Sequence, residues 1–235
     1  MLDYELMLDS VPAFLAGLVL TLELTVVTLL LGMALALPLA ALRTARSRLL
    51  WVPAYCYITF FRGTPLLVQV FLLYYGFGQF EWIKETPIWD VLREAYRCAV
   101  IAFSLNTAAY TAEILRGAIQ AVPIGEIEAA RALGMSRLLV FRLVALPRAF
   151  RLALPAYGNE VILVVKSTAL ASTITLLDIT GVARTLVART YAPYEIFLVA
   201  GCFYLGLTFL VTRVLAAMEY WLSPERRAAQ APAGR

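Results

Sequence analysis

Residues 124–147, I-G-E-I-E-A-A-R-A-L-G-M-S-R-L-L-V-F-R-L-V-A-L-P, form the one long stretch between hydrophobic regions that mixes charge with helical spacing. Pro123 and Gly125 lead into a first short helix, and Glu126 and Glu128 sit where carboxylates favour the positive end of its dipole. Ala129, Ala130, Ala132 and Leu133 are strong helix formers. Gly134 can take the left-handed conformation that ends a helix, and Ser136 can cap a second one. That second helix carries Leu138, Leu139, Phe141 and Val144 and is expected to stop at Pro147. The small residues at 129, 130, 132 and 134 are expected to leave a surface that another protein can approach closely. Spacing alone also allows a plainer reading, a basic amphipathic helix pair lying on a membrane or bridging two spans.

Outward from this loop the chain is apolar. Its 235 residues are 62% hydrophobic and 15% charged, whereas soluble domains carry roughly 25% charged residues. Mean hydropathy is +0.79. The chain contains no histidine, which excludes imidazole catalysis and histidine-ligated metals. Cys56, Cys98 and Cys202 are scattered and odd in number, giving neither a disulfide framework nor metal-ligand spacing.

Five hydrophobic regions are expected to span a membrane, giving an all-α integral membrane fold. The first, Val11 to Leu42, exceeds the roughly 20 residues that cross a bilayer, so it tilts or begins in the interface. The second, Leu49 to Gly78, is broken by Arg62-Gly63-Thr64-Pro65, which makes the segment before the break a candidate interfacial helix. Residues 79–97 are polar and mixed in charge. The third span runs from Tyr96 to Ala121 and the fourth from Leu152 to Leu177, softened by Pro155 and Gly158. Asp178 to Tyr194 reads as a connection, and Glu195 to Leu215 as the fifth span. Residues 1–220 thus form a single transmembrane domain with a loop at about 122–148, and 221–235 a short polar tail, disordered by composition.

Lysine and arginine set the orientation. Thirteen fall on the side of the loop: Arg43, Arg46, Arg48, Arg116, Arg131, Arg137, Arg142, Arg148, Arg151, Arg213, Arg226, Arg227 and Arg235. Five, Lys84, Arg93, Arg97, Arg184 and Arg189, fall on the other. The positive-inside rule places the loop and C-terminus in the cytoplasm and the N-terminus outside. The net charge of +4 is therefore read as orientation, not as a nucleic-acid surface.

Lys166-Ser167-Thr168 is not a phosphate-binding loop, because Ile162-Leu163-Val164-Val165 precede it where glycines are needed. Intramembrane polar groups are costly and so are functional candidates. Asn106 and Glu113 share one side of the third span, seven residues apart. Asn159, Glu160, Lys166 and Thr168 lie on the fourth, and Gln69 on the broken second. Alternatively, Glu113 or Glu160 pairs with Lys166 or Arg116 and only fixes helix packing.

Glu128-Ala129-Ala130, Gly134 after three further residues, and Val144-x-Leu146-Pro147 together resemble the signature loop of ABC-importer membrane subunits, with Val144 for the usual isoleucine. F-R-G-T-P-L-L-V-Q-V-F-L-L-Y-Y-G, A-Y-T-A-E-I-L-R-G-A-I at 109–119 and L-P-A-Y-G-N-E-V-I-L-V-V-K-S-T-A-L at 154–170 resemble the polar-amino-acid branch. They are similar in particular to permease subunits for histidine, lysine, arginine and ornithine, and for octopine and nopaline. The resemblance covers residues ~12 to ~220.

It implies a multi-pass permease of a bacterial inner membrane, importing basic amino acids or opines by alternating access. Implied partners are a second similar permease chain in a heterodimer, two ATPase subunits holding ATP and Mg, and a periplasmic binding protein. Glu128, Ala129, Ala130, Arg131, Gly134, Leu146 and Pro147 would then form the coupling loop seated in a groove of the ATPase. The resemblance also implies an amino-acid site near mid-membrane. Two other classes compete. A secondary amino-acid transporter also uses broken helices and buried carboxylates, and a membrane enzyme would need a catalytic set that these residues do not form.

Overall fold

A computed structural model describes residues 2–45 and 47–222, and every element among them is helical. The first helix, α1 (Tyr4–Arg43), has 40 residues and is therefore about 60 Å long, twice the hydrocarbon thickness of a bilayer. It is apolar all round, so hydrophobicity alone cannot choose its buried face. Small residues choose it. Ser10, Gly17, Thr21, Thr25, Thr28, Gly32, Ala36 and Ala40, with the larger Phe14 among them, recur at three- and four-residue intervals and face the interior. At Gly32 a Cβ would stand 2.8 Å from Thr107 Cγ2, so glycine sets how closely the next long helix approaches.

That helix is α6 (Ala95–Gln120), the centre of the fold. It packs against α1, against α2 (Arg48–Gly63) and α3 (Leu66–Phe71), and against α9 (Leu146–Ser167). Half of its residues are buried, mostly alanine, serine and threonine, which again permits close helix contact. Among the described residues, α1, α6 and α11 (Pro193–Leu222) are the helices long and apolar enough to cross a membrane unaided. Two bent pairs pass the same test jointly: α2 with residues 66–79, bent by 102°, and residues 137–174 with α10 (Ile179–Thr190), bent by 45°. Counting each bent pair as one span gives five, as expected.

The break in the second span is braced from within. Gln69 Nε2 donates to the carbonyls of Phe61 (2.9 Å) and Thr64 (3.2 Å), and Asn106 Nδ2 donates to Phe61 O (3.0 Å) and Gln69 Oε1 (3.1 Å). These side chains satisfy carbonyls that the break strips of helical partners, which non-helical backbone inside a membrane requires. Gln69→Ala is expected to leave the Thr64 carbonyl unpaired, at a cost of about 1–3 kcal/mol, while Asn106 still donates to Phe61 O. Its signature is a lower unfolding midpoint in detergent, with the helical content unchanged before melting.

The structure corrects two sequence expectations. Asp178 to Tyr194 is not a plain connection, because it contains α10. Asp178 caps that helix by accepting from the amides of Thr180 and Gly181, each at 3.1 Å. Ile179, Val182 and Ala183 then pack with Phe14, Ile196, Val199 and Ala200. Glycine is required at 181, since a Cβ there would collide with the Leu176 carbonyl. The polar residues 79–97, which carry no structural expectation from the sequence, contain two short helices, α4 (Glu81–Lys84) and α5 (Trp89–Leu92), with the exposed pair Glu81–Lys84 at 2.8 Å. The second correction concerns the tail: α11 runs to Leu222, so 221 and 222 belong to it, and the rest of the expected tail, 223–235, lies outside the described residues.

Candidate functional site

Two places concentrate the candidate residues. One is the loop after α6. It forms α7 (Ile124–Ala132) and α8 (Arg137–Val140), separated at Gly134, whose φ of +79° is left-handed. The Ser136 hydroxyl caps α8 by accepting from Leu139 N at 3.4 Å. The helix does not stop at Pro147. A wide π turn over Phe141–Ala145 carries the chain into α9, and Pro147 falls in the first turn of α9, where a missing N–H costs least.

Burial divides α7 into two faces. Ala130 is 5% exposed and turned inward, so it fixes α7 to the protein instead of lining an outer surface. Ile127 joins it by packing against Ala118, Val122, Ala149 and Ala153. Glu128, Ala129, Arg131 and Gly134 are exposed, as are Leu146 and Pro147. Leu133 is 83% exposed and Leu138 75%, which makes an apolar surface edged with charge, as protein-docking sites are.

The other place is a cavity of about 420 Å³ at the break of the second span. Its walls are the Arg62–Leu66 turn, Phe103, Asn106, Thr107 and Tyr110 of α6, and Glu160, Leu163 and Ser167 of α9. Glu160 is only 6% exposed, bonds to the Thr107 hydroxyl and feels the charge of Arg62. The Arg62 guanidinium lies 5.2 Å from the Tyr110 ring centroid, a cation–π distance that orients it. A guanidinium and a carboxyl group thus share a pocket of the volume that small ligands occupy, roughly 300–1,000 Å³.

The expected path residues separate. Glu160 and Asn106 line the cavity, although Asn106 also spends both its donor contacts on the break. Gln69 is 5% exposed behind the wall and acts on the same break. Glu113 lies elsewhere. Arg43 Nε donates to its Oε1 at 3.1 Å, and Arg116 to its Oε2 at 2.7 Å. Arg43 also stacks 4.9 Å from Trp51 and 5.1 Å from Tyr55, so Glu113 ties α1, α2 and α6 together. Asn159 and Lys166 are exposed on α9 and do not line the cavity. Thr168 is fully buried and donates to Val165 O at 2.7 Å. Arg62 is the residue that sequence reasoning missed. The sequence marks it as part of a helix break, and nothing local shows that the break faces a carboxylate nearly 100 positions later.

Comparison with known proteins decides the family. Residues 28–223 match the family described as binding-protein-dependent transport system inner membrane component. The chain belongs to that family. It is 49% identical over 228 residues to the nopaline transport system permease protein NocM of Agrobacterium fabrum, covering 97% of this chain and 95% of that one. It is 52% identical to the octopine permease OccM of Rhizobium meliloti, covering 95% and 91%. A solved amino acid ABC transporter with histidines superposes with a TM-score of 0.84 at 34% identity, covering 93% of this chain and 98% of that chain. The chain is therefore a multi-pass permease subunit of an ABC importer, which excludes a secondary carrier, and such a subunit works with ATPase and substrate-binding partners.

Proposed function

We propose that this permease subunit passes basic amino acids or opines through the cavity between Arg62 and Glu160. The observation that carries the reading is that Arg62 and Glu160 line one cavity inside a bundle of spans, with Thr64, Asn106, Thr107 and Ser167 as neutral polar neighbours. An amino acid is a zwitterion. Arg62 suits its carboxylate, where a guanidinium can bond in bidentate fashion, and Glu160 suits an ammonium or guanidinium group. The kinds of relative that match, permeases for octopine and nopaline and the histidine/lysine/arginine/ornithine permease HisM of Escherichia coli at 43% identity, support a cationic or guanidino substrate.

The exposed face of α7 and α8 supports a helix-in-groove contact with a separate ATPase, made by Glu128, Ala129, Arg131, Gly134, Leu146 and Pro147. ATP and Mg belong to two such subunits, and this chain supplies no hydrolytic chemistry. The excess of arginine beside the loop supports a cytoplasmic loop and C-terminus, with the N-terminus outside a bacterial inner membrane. A second, similar permease completes a heterodimer, and a periplasmic binding protein delivers substrate.

The test is arginine uptake into proteoliposomes holding this chain with its partner permease and ATPase. Accumulation is expected only with binding protein on one side and ATP on the side of the loop. Accumulation by the chain alone, driven by an ion gradient, would contradict the reading.

A further inference from the structure

A second cavity, also of about 420 Å³, opens beside α10, and its walls hold two arginines and no carboxylate. One face of α10 is spent on the core, where Ile179, Val182 and Ala183 pack. The cavity takes the other face, with Arg184 and Ala188 one turn apart and Thr185 and Arg189 likewise. Residues Thr168–Ile174 form a 3₁₀ helix, and Thr175, left-handed at φ +74°, turns the chain from it into α10. The turn folds α10 back beside that segment, and Arg184 Nη1 donates to the Ser172 carbonyl at 3.0 Å. This bond uses one donor of the guanidinium and leaves the rest of its fork available.

The two cavities are neighbours along the chain. Ser167 lines the cavity of Glu160 and Ser172 lines the second one, and a 3₁₀ rise of roughly 2 Å per residue sets them about 10 Å apart. Charge distinguishes them. The first offers a guanidinium and a carboxyl group, which suits a zwitterion, whereas the second offers cations without an anion. A cationic amino acid is repelled there unless its carboxylate leads. An opine, which carries a further carboxylate on an amino acid, is attracted.

We propose that Arg184 and Arg189 form an outer carboxylate subsite, which receives an opine before it moves to the cavity between Arg62 and Glu160. This rests on that cavity being the substrate site and on α10 lying on the outer side of the membrane. Guanidinium groups suit the role because each can hold a carboxylate in bidentate fashion.

The test uses the nucleotide-free complex of both permeases and the ATPase subunits in nanodiscs. The exposed Cys56 and Cys202 are changed to serine, and Ala188→Cys serves as the reporter in the cavity wall. An anionic methanethiosulfonate is expected to modify position 188 about tenfold faster than a cationic one. Octopine should protect this position at lower concentration than arginine does, and agmatine, which is arginine without its carboxylate, should give no protection. Arg184→Gln and Arg189→Gln should each raise the octopine concentration for half-protection about tenfold, as loss of a charged hydrogen bond does. Arg189→Gln is the milder change, since Arg184 also holds the Ser172 carbonyl. Equal rates for the two reagents, protection by agmatine, or undiminished octopine protection in Arg189→Gln would overturn the proposal. So would protection by ligand-free binding protein, or slower modification in phosphatidylglycerol than in phosphatidylcholine nanodiscs, since either would give the arginines a different partner. Failure of the inner-cavity reading shows differently, as wild-type octopine transport in Glu160→Gln with protection at position 188 intact.

Discussion

Gly134→Val is expected to insert and fold but to lose at least tenfold in ATP hydrolysis stimulated by loaded binding protein. The reason is conformational. Gly134 sits at φ +79°, where an L residue is disfavoured by about 1–2 kcal/mol, and a β-branched residue fares worst. No atom lies within 4 Å of the position a Cβ would take, so the substitution does not collide with the chain itself. The strain falls on the turn between α7 and α8, and relieving it moves the exposed face of Glu128–Leu133 away from its docking geometry. Gly134→Asn provides the contrast, since asparagine tolerates the left-handed region, and it should retain more stimulation than valine. Equal and full stimulation in both would reduce the loop to a connector.

Glu160→Gln carries the second large effect. Removing the charge while keeping the shape should lower the transport efficiency of arginine by roughly 10–100-fold. That range corresponds to the ~1.5–3 kcal/mol of a hydrogen bond to a charged group, at about 1.4 kcal/mol per factor of ten. Complex assembly should persist, because Glu160 is held by the Thr107 hydroxyl, which a glutamine can also engage. Glu113→Gln should behave in the opposite way. It removes a charge that two arginines share at the far end of α6, so it should lower thermal stability while leaving arginine affinity near wild type. The pair of variants separates a substrate carboxylate from a structural one, as measured by uptake kinetics and by unfolding in detergent.

How far the sequence discloses this arrangement depends on how far apart the partners lie. The Gly134 turn and the Ser136 cap are legible because their signals span three residues. The five hydrophobic regions are legible because hydropathy is a property of each segment alone. The inward face of Ala130 is not, since a stripe of alanines has no intrinsic inside. Glu113 is half legible: its pairing with Arg116, three residues on, is the alternative the sequence offers, whereas Arg43 lies seventy positions away and reads as a positive-inside residue. Gln69 and Asn106 share the same difficulty, being polar groups whose employment is the broken helix beside them. The helix α10 had a local signal, Asp178 followed by Ile179, Val182 and Ala183, yet Arg184 and Arg189 made the segment look like a loop. Glu160 is found by its cost in a membrane, and Arg62 only by the fold that brings it opposite.

The central claim is that substrate lies between Arg62 and Glu160, and the most direct measurement is the position of bound arginine in a cryo-electron microscopy structure of the nucleotide-free complex. The expected result is ligand density in the cavity walled by the Arg62–Leu66 turn, Tyr110 and Glu160, with the carboxylate on Arg62 and the guanidinium towards Glu160. Arginine density lined by other residues, with this cavity empty or closed at saturating ligand, would contradict it.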